Sequence, residues 1–173
     1  AYGHASVTTS GPWLATVLAL GTISLGGQGL VSTTYLETFR LVVIYNFALS
    51  LLLCGPVMLV ATRQISDLIF AKRLEDCAGV FLTAVALVML LGLPLAVGLY
   101  AGYGRFPLPI TLAACINFLL ISAIWTVSIF LTVLKTYNRV TLSFICGLVF
   151  GTSLAIMLAP DFGTFGLLRG FNA

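Results

Sequence analysis

One polar island constrains what this chain can fold into. From Arg63 to Asp76 the sequence reads RQISDLIFAKRLED, and this stretch holds six of the thirteen charged residues. Upstream lies LVVIYNFALSLLLCGPVMLVA (41–61) and downstream CAGVFLTAVALVMLLGLPLAVGLY (77–100), both without a charge. At about 1.5 Å per helical residue, each run is long enough to span a hydrocarbon core of roughly 30 Å. The island is therefore expected to link two membrane-spanning helices, and the other spans can be counted outward from it.

Composition bears on the same point. The chain is 60% hydrophobic and 8% charged, whereas a water-soluble domain carries about 25% charged residues. The net charge of +3 is scattered, so it offers no stripe for a nucleic acid and is read as loop topology. Cys54, Cys77, Cys115 and Cys146 lie in or beside apolar runs, with no Cys-x-x-Cys or Cys/His spacing. They read as small hydrophobes, not as a metal or disulfide framework.

The expected architecture is all-α: a polytopic transmembrane bundle of five spans plus the start of a sixth, in one membrane-embedded region over 1–173. Thr8, Thr9 and Ser10 are possible N-caps ahead of Pro12, and a first span covers about 12–30, with GGQG (26–29) near its far end. The second, about 41–61, carries Asn46 and the Gly55-Pro56 pair, where a kink is expected because proline cannot donate to the Leu52 carbonyl. The third covers about 77–100 and includes Pro94. The fourth, about 110–134, is the most polar, with Asn117, Ser122, Thr126, Ser128 and Thr132. A fifth covers about 141–159. GLLRGFNA (166–173) reads as a sixth that stops in mid-membrane, and with no initiator Met the expectation is a piece, or the ordered part, of something longer.

Orientation follows from lysine and arginine. Arg63, Lys72, Arg73, Lys135 and Arg139 fall in links on one side, against Arg40 and Arg105 on the other. The richer side, and the N-terminus with it, is expected to be cytoplasmic. The island itself reads as a short amphipathic helix along that interface: Ile65, Leu68 and Ile69 share a face, and Arg63/Asp67 and Lys72/Asp76 stand four apart. It either only turns the chain or docks a cytoplasmic partner through Lys72 and Arg73.

Nothing in the sequence supports an enzyme, a cofactor or a metal site. The single histidine, His4, has no acid or cysteine placed to work with it, and no catalytic or phosphate-binding motif occurs. What remains are polar side chains inside spans, which are costly in lipid and so face a partner or a cavity. Arg169 either snorkels to the outer interface or faces a lumen. Asn46 and Asn117 either bond between helices or line a path. Trp125 either packs in the bundle or faces a sugar. The pairs Gly147/Gly151 and Gly98/Gly102 read as close helix contacts.

Three stretches carry a family resemblance: TTSGPW (8–13), LLLCGPVMLVATRQISDLIFAKR (51–73) and FGTFGLLRGF (162–171). In this order and spacing they resemble the N-terminal part of the exopolysaccharide Pel transporter family, PelG. The resemblance implies a bundle related to multidrug and oligosaccharidyl-lipid exporters. It also implies movement of a growing Pel-like polysaccharide across the bacterial inner membrane for biofilm matrix production. The partners it implies are a cytoplasmic glycosyltransferase like PelF and membrane proteins like PelD and PelE. The alternatives are a generic lipid-linked oligosaccharide flippase or drug exporter, and a non-transporting scaffold subunit of a synthase complex. On the path reading, Asn46, Asn117, Trp125 and Arg169 would meet the sugar chain.

Overall fold

The computed structural model describes residues 16–133 and 137–173, except for the side chains of 129 and 132–141. The expected N-caps, Pro12, His4 and Lys135 lie outside the described residues. Among those described there is no strand. The helices are α1 (Thr16–Gly26), α2 (Thr33–Phe70), α3 (Cys77–Val97), α4 (Leu108–Val133) and α5 (Tyr137–Phe171). Four segments are long and apolar enough to cross a membrane: Thr33–Phe70, Leu74–Tyr103, Leu108–Ser128 and Leu142–Phe171. The chain divides into two compact units, Ala1–Val42 with Tyr137–Ala173, and Val43–Thr136.

α2 passes through Pro56 and runs on into the polar island. Arg63–Phe70 are therefore its last two turns and not a separate interfacial helix. The physical reason is continuity: no glycine or proline interrupts 57–70, and buried residues recur in steps of three or four from Leu36 through Phe39, Val43, Asn46, Ser50, Cys54, Met58 and Ala61 to Ile65. Those steps match the 3.6-residue turn of an α-helix that continues past Pro56.

The helix stops without a glycine. Lys72 takes a left-handed conformation (φ 57), its N–H bonds to the Ile69 carbonyl at 3.1 Å, and the Arg73 N–H reaches the Leu68 carbonyl at 2.9 Å. This pair of bonds is a Schellman ending, with lysine where glycine is usual. The same turn overturns the expected Lys72/Asp76 pairing at helical spacing. Asp76 instead forms an ion pair with Arg73 at 2.7 Å, Arg73 being exposed and Asp76 partly so.

In the unit Val43–Thr136, the later part of α2 packs with α3 and α4 in layers. One end is apolar, with Ala61, Ile65, Ala84 and Phe130 buried together and the Phe81 and Phe130 rings edge-to-face at 4.6 Å. The next layer is Cys54, Met58 and Val88, with Trp125 against it. Gly92 then lets the helices close: a Cβ there would lie 3.3 Å from both Leu53 and Phe118. Beyond it the packing turns polar.

In the other unit, α1 hands over to α2 through the GGQG turn, where Gly29 has φ +87 and the Val31 N–H returns to the Gly27 carbonyl. α5 is two limbs joined at Gly163, whose φ 55 and ψ −133 only glycine adopts without strain. On a straight helix, Ala155 and Gly170 would stand about 22 Å apart. Instead a Cβ on Gly170 would collide with the Ala155 backbone, and one on Gly166 with the Leu158 carbonyl. The limbs thus run antiparallel with their backbones in contact. α2 docks on this hairpin: the Tyr35 ring covers Gly163, the Thr164 hydroxyl donates to the Tyr35 carbonyl at 3.3 Å, and Phe39 and Phe171 meet edge-to-face at 5.7 Å. Of the expected glycine contacts, only Gly151 makes one, against the Phe171 carbonyl; Gly147, Gly98 and Gly102 have nothing within 4 Å.

Candidate functional site

The polar end of the Val43–Thr136 unit is built from the two asparagines that the sequence singles out. Asn46 and Asn117 come from facing helices, α2 and α4, and both are buried, at 0% and 2% exposure. The Asn46 Nδ2 group donates to Asn117 Oδ1 at 2.8 Å and to the Ala114 carbonyl at 3.1 Å. Its Oδ1 accepts from the Tyr100 hydroxyl at 2.5 Å. Each atom of the Asn46 amide is therefore engaged, which is the condition for holding an amide in a low-dielectric interior.

Tyr100 was not visible to sequence reasoning. A tyrosine at the end of an apolar run reads as an interfacial aromatic, yet this one is buried. What turns it inward is a wide π-type turn over Gly98–Tyr103, closed by the Gly104 N–H bonding to the Leu99 carbonyl at 2.9 Å. Such turns insert a residue into a helix and recur at functional positions. The only sequence sign of it is the pair Gly98 and Gly102.

From this cluster a polar lane continues between α2 and α4. On α2 it follows Asn46, Ser50 and Cys54, four residues apart and so on one face; all three are fully buried. On α4 it follows Asn117, Ser122 and Thr126, also buried. The hydroxyls are satisfied along the way: Ser50 donates to the Phe47 carbonyl, Ser122 to Phe118 and Thr126 to Ser122. The Cys54 thiol lies 3.6 Å from the Ser122 carbonyl. Trp125 is half-buried beside this lane, edge-on to Phe47 at 6.2 Å, and its indole Nε1 is enclosed without a hydrogen-bond partner.

The other two groups of candidate residues are placed differently. Arg169 is exposed on the second limb of α5, between Leu168 and Gly170, both buried. It belongs to the other compact unit, Ala1–Val42 with Tyr137–Ala173. Lys72 and Arg73 form the exposed turn after α2, next to Phe70 at 92% exposure and Leu74 at 64%. Among the described residues, no group of three or more potential metal ligands occurs.

Four helices of bilayer length, with Asn46, Ser50, Asn117, Ser122 and Thr126 buried on α2 and α4, make this a multi-pass membrane protein. Along residues 1–173 the chain matches the family described as "PelG: Putative exopolysaccharide Exporter (EPS-E)". The chain belongs to the PelG family, and with it to polysaccharide export. No curated protein and no solved structure matches it.

Proposed function

We propose that the chain is part of an inner-membrane transporter that moves a growing Pel-like exopolysaccharide out of a bacterial cell for its biofilm matrix. The observation that supports this beyond family membership is the buried polar lane between α2 and α4. A scaffold could hold its helices together with apolar packing alone, as the Phe81–Phe130 end of the same unit does. Neutral sugars bind through hydroxyls, which suit amide, hydroxyl and indole donors beside an aromatic face. In this reading Asn46, Asn117 and Trp125 meet the sugar chain, with Arg169 as a further contact from its own unit.

The topology we assign has five spans plus the start of a sixth, with the N-terminus and the Lys72–Arg73 turn in the cytoplasm. A PelF-like glycosyltransferase then feeds the polymer from that side, with PelD- and PelE-like membrane proteins completing the assembly. Lys72 and Arg73 are the contact we assign to the glycosyltransferase, since they form an exposed turn at a helix tip. The test is export. In a strain lacking the native gene, the transporter carrying Asn117→Leu should insert normally and release much less polysaccharide than the unaltered protein. Full release at equal membrane abundance would overturn the path assignment.

A further inference from the structure

We propose that Tyr100 is the closing residue of the polar lane, and that the π-type turn carrying it is the element that opens and shuts it. The proposal rests on the reading that a hydroxyl-rich chain uses this lane, and it adds which group occupies the sugar's place when the lane is empty. A phenol hydroxyl can stand in for a sugar hydroxyl: it offers one donor and an accepting oxygen, here on a rigid frame. Here it donates to Asn46 Oδ1 at 2.5 Å, the acceptor that a sugar hydroxyl would need.

Three further observations point the same way. First, Asn46, Asn117 and Tyr100 are all buried, so a polymer cannot reach the amides without a rearrangement around them. Second, Tyr100 sits in the one stretch of α3's continuation that departs from α-helical winding, Gly98–Tyr103. Rewinding such a turn into α-helix rotates the residues it carries relative to the helix before it, because the number of residues per turn changes. Third, a side chain at Gly98 or Gly102 would meet nothing within 4 Å. Nothing packed against either glycine would therefore oppose a rewinding of the turn. Farther along the lane the enclosed indole Nε1 of Trp125 has no partner, a donor that an entering hydroxyl would satisfy.

Fully buried Cys54, two helical turns along α2 from Asn46, is a built-in reporter of opening. In a background with Cys77, Cys115 and Cys146 replaced by serine, its reaction with a small methanethiosulfonate is timed in the detergent-solubilised protein. Tyr100→Phe keeps the ring and removes the hydrogen bond to Asn46. We expect labelling to accelerate by about tenfold, the ratio that the loss of one buried hydrogen bond of ordinary strength allows. An unchanged rate in a folded Tyr100→Phe protein overturns the proposal.

A second measurement needs no variant. Hydrogen exchange on the unaltered protein should show the amides of 98–103 exchanging faster than those of 88–97. Equal protection across both segments overturns the switching turn. Failure of the path reading is seen separately: Cys54 labelling would still accelerate in Tyr100→Phe while Asn117→Leu exported normally.

Discussion

The Asn46 amide donates to the Asn117 carbonyl oxygen at 2.8 Å across the α2–α4 interface, with both residues buried. In water such a bond would exchange with solvent at little net gain; here each amide would otherwise be stranded. Asn117→Leu leaves the Asn46 amide short of one bond and should cost about 1–2 kcal/mol, while Asn46→Leu also removes the bonds to the Ala114 carbonyl and from the Tyr100 hydroxyl and should cost more. The Asn46→Leu/Asn117→Leu double variant should lose less than the sum of the single losses, because the pair is removed together. Unfolding titrations in mixed micelles measure all three, and strict additivity would show that the two amides do not act as a pair.

Glycine substitutions should separate into two groups. Gly163→Ala forces an alanine into a backbone conformation that costs of order 1–3 kcal/mol, under a tyrosine ring 3.1 Å from the new Cβ. Gly166→Ala and Gly170→Ala drive a methyl into the opposing backbone, and should lower thermal stability at least as much. Gly147→Ala, with nothing within 4 Å, should be neutral or stabilising by up to about 1 kcal/mol through helix propensity. Melting curves of the four variants in one detergent check the ranking.

At the α2 ending, Lys72→Gly should be neutral or stabilising by up to about 1 kcal/mol, since glycine adopts the left-handed conformation without penalty. Reversing Lys72 and Arg73 together to glutamate breaks only the exposed Arg73–Asp76 pair, worth at most about 1 kcal/mol. Expression should therefore persist while recovery of the glycosyltransferase on co-purification falls. Undiminished recovery would mean that the turn does not hold that partner.

Topology has its own test. Single cysteines at 72 and 138, in a background free of other cysteines, should resist an impermeant maleimide applied to intact cells and react after permeabilisation. Basic links resist translocation, so both positions are expected inside. Fast labelling from outside at both would invert the assignment.

Arg169 distinguishes two physical roles by substitution. If its guanidinium meets the sugar chain, Arg169→Leu should lower polysaccharide release severalfold and Arg169→Lys should restore only part of it, because lysine lacks the planar fork. If it snorkels to the headgroups, lysine should replace it freely and leucine should cost little. Release measured at equal membrane abundance decides between them.

Sequence reading singled out Asn46 and Asn117 because asparagine inside an apolar run is costly whatever surrounds it. It could not supply partners, since partnership depends on which helices face each other. Tyr100 was missed because its inward turn is a matter of backbone winding, and no residue type announces a π-type turn. The glycines illustrate the same limit. Gly98/Gly102 and Gly166/Gly170 have identical spacing, yet only the second pair touches another backbone. The difference lies in the reversal at Gly163, which a linear pattern does not encode. The island was read correctly as polar and wrongly as a separate element, because Ile65 extends the buried stripe of α2 past the expected end of the span.

An unbroken α2 has a mechanical consequence. Its 38 residues make about 57 Å of helix along the contour, well beyond the roughly 30 Å of hydrocarbon that a bilayer offers. The Lys72–Arg73 turn is thus carried on a stiff lever and not on a slack loop. If the segment after Pro56 swings by about 10°, Phe70, about 21 Å farther on, moves by about 4 Å. A protein gripping that tip would be displaced by small tilts inside the membrane, and by reciprocity could impose them.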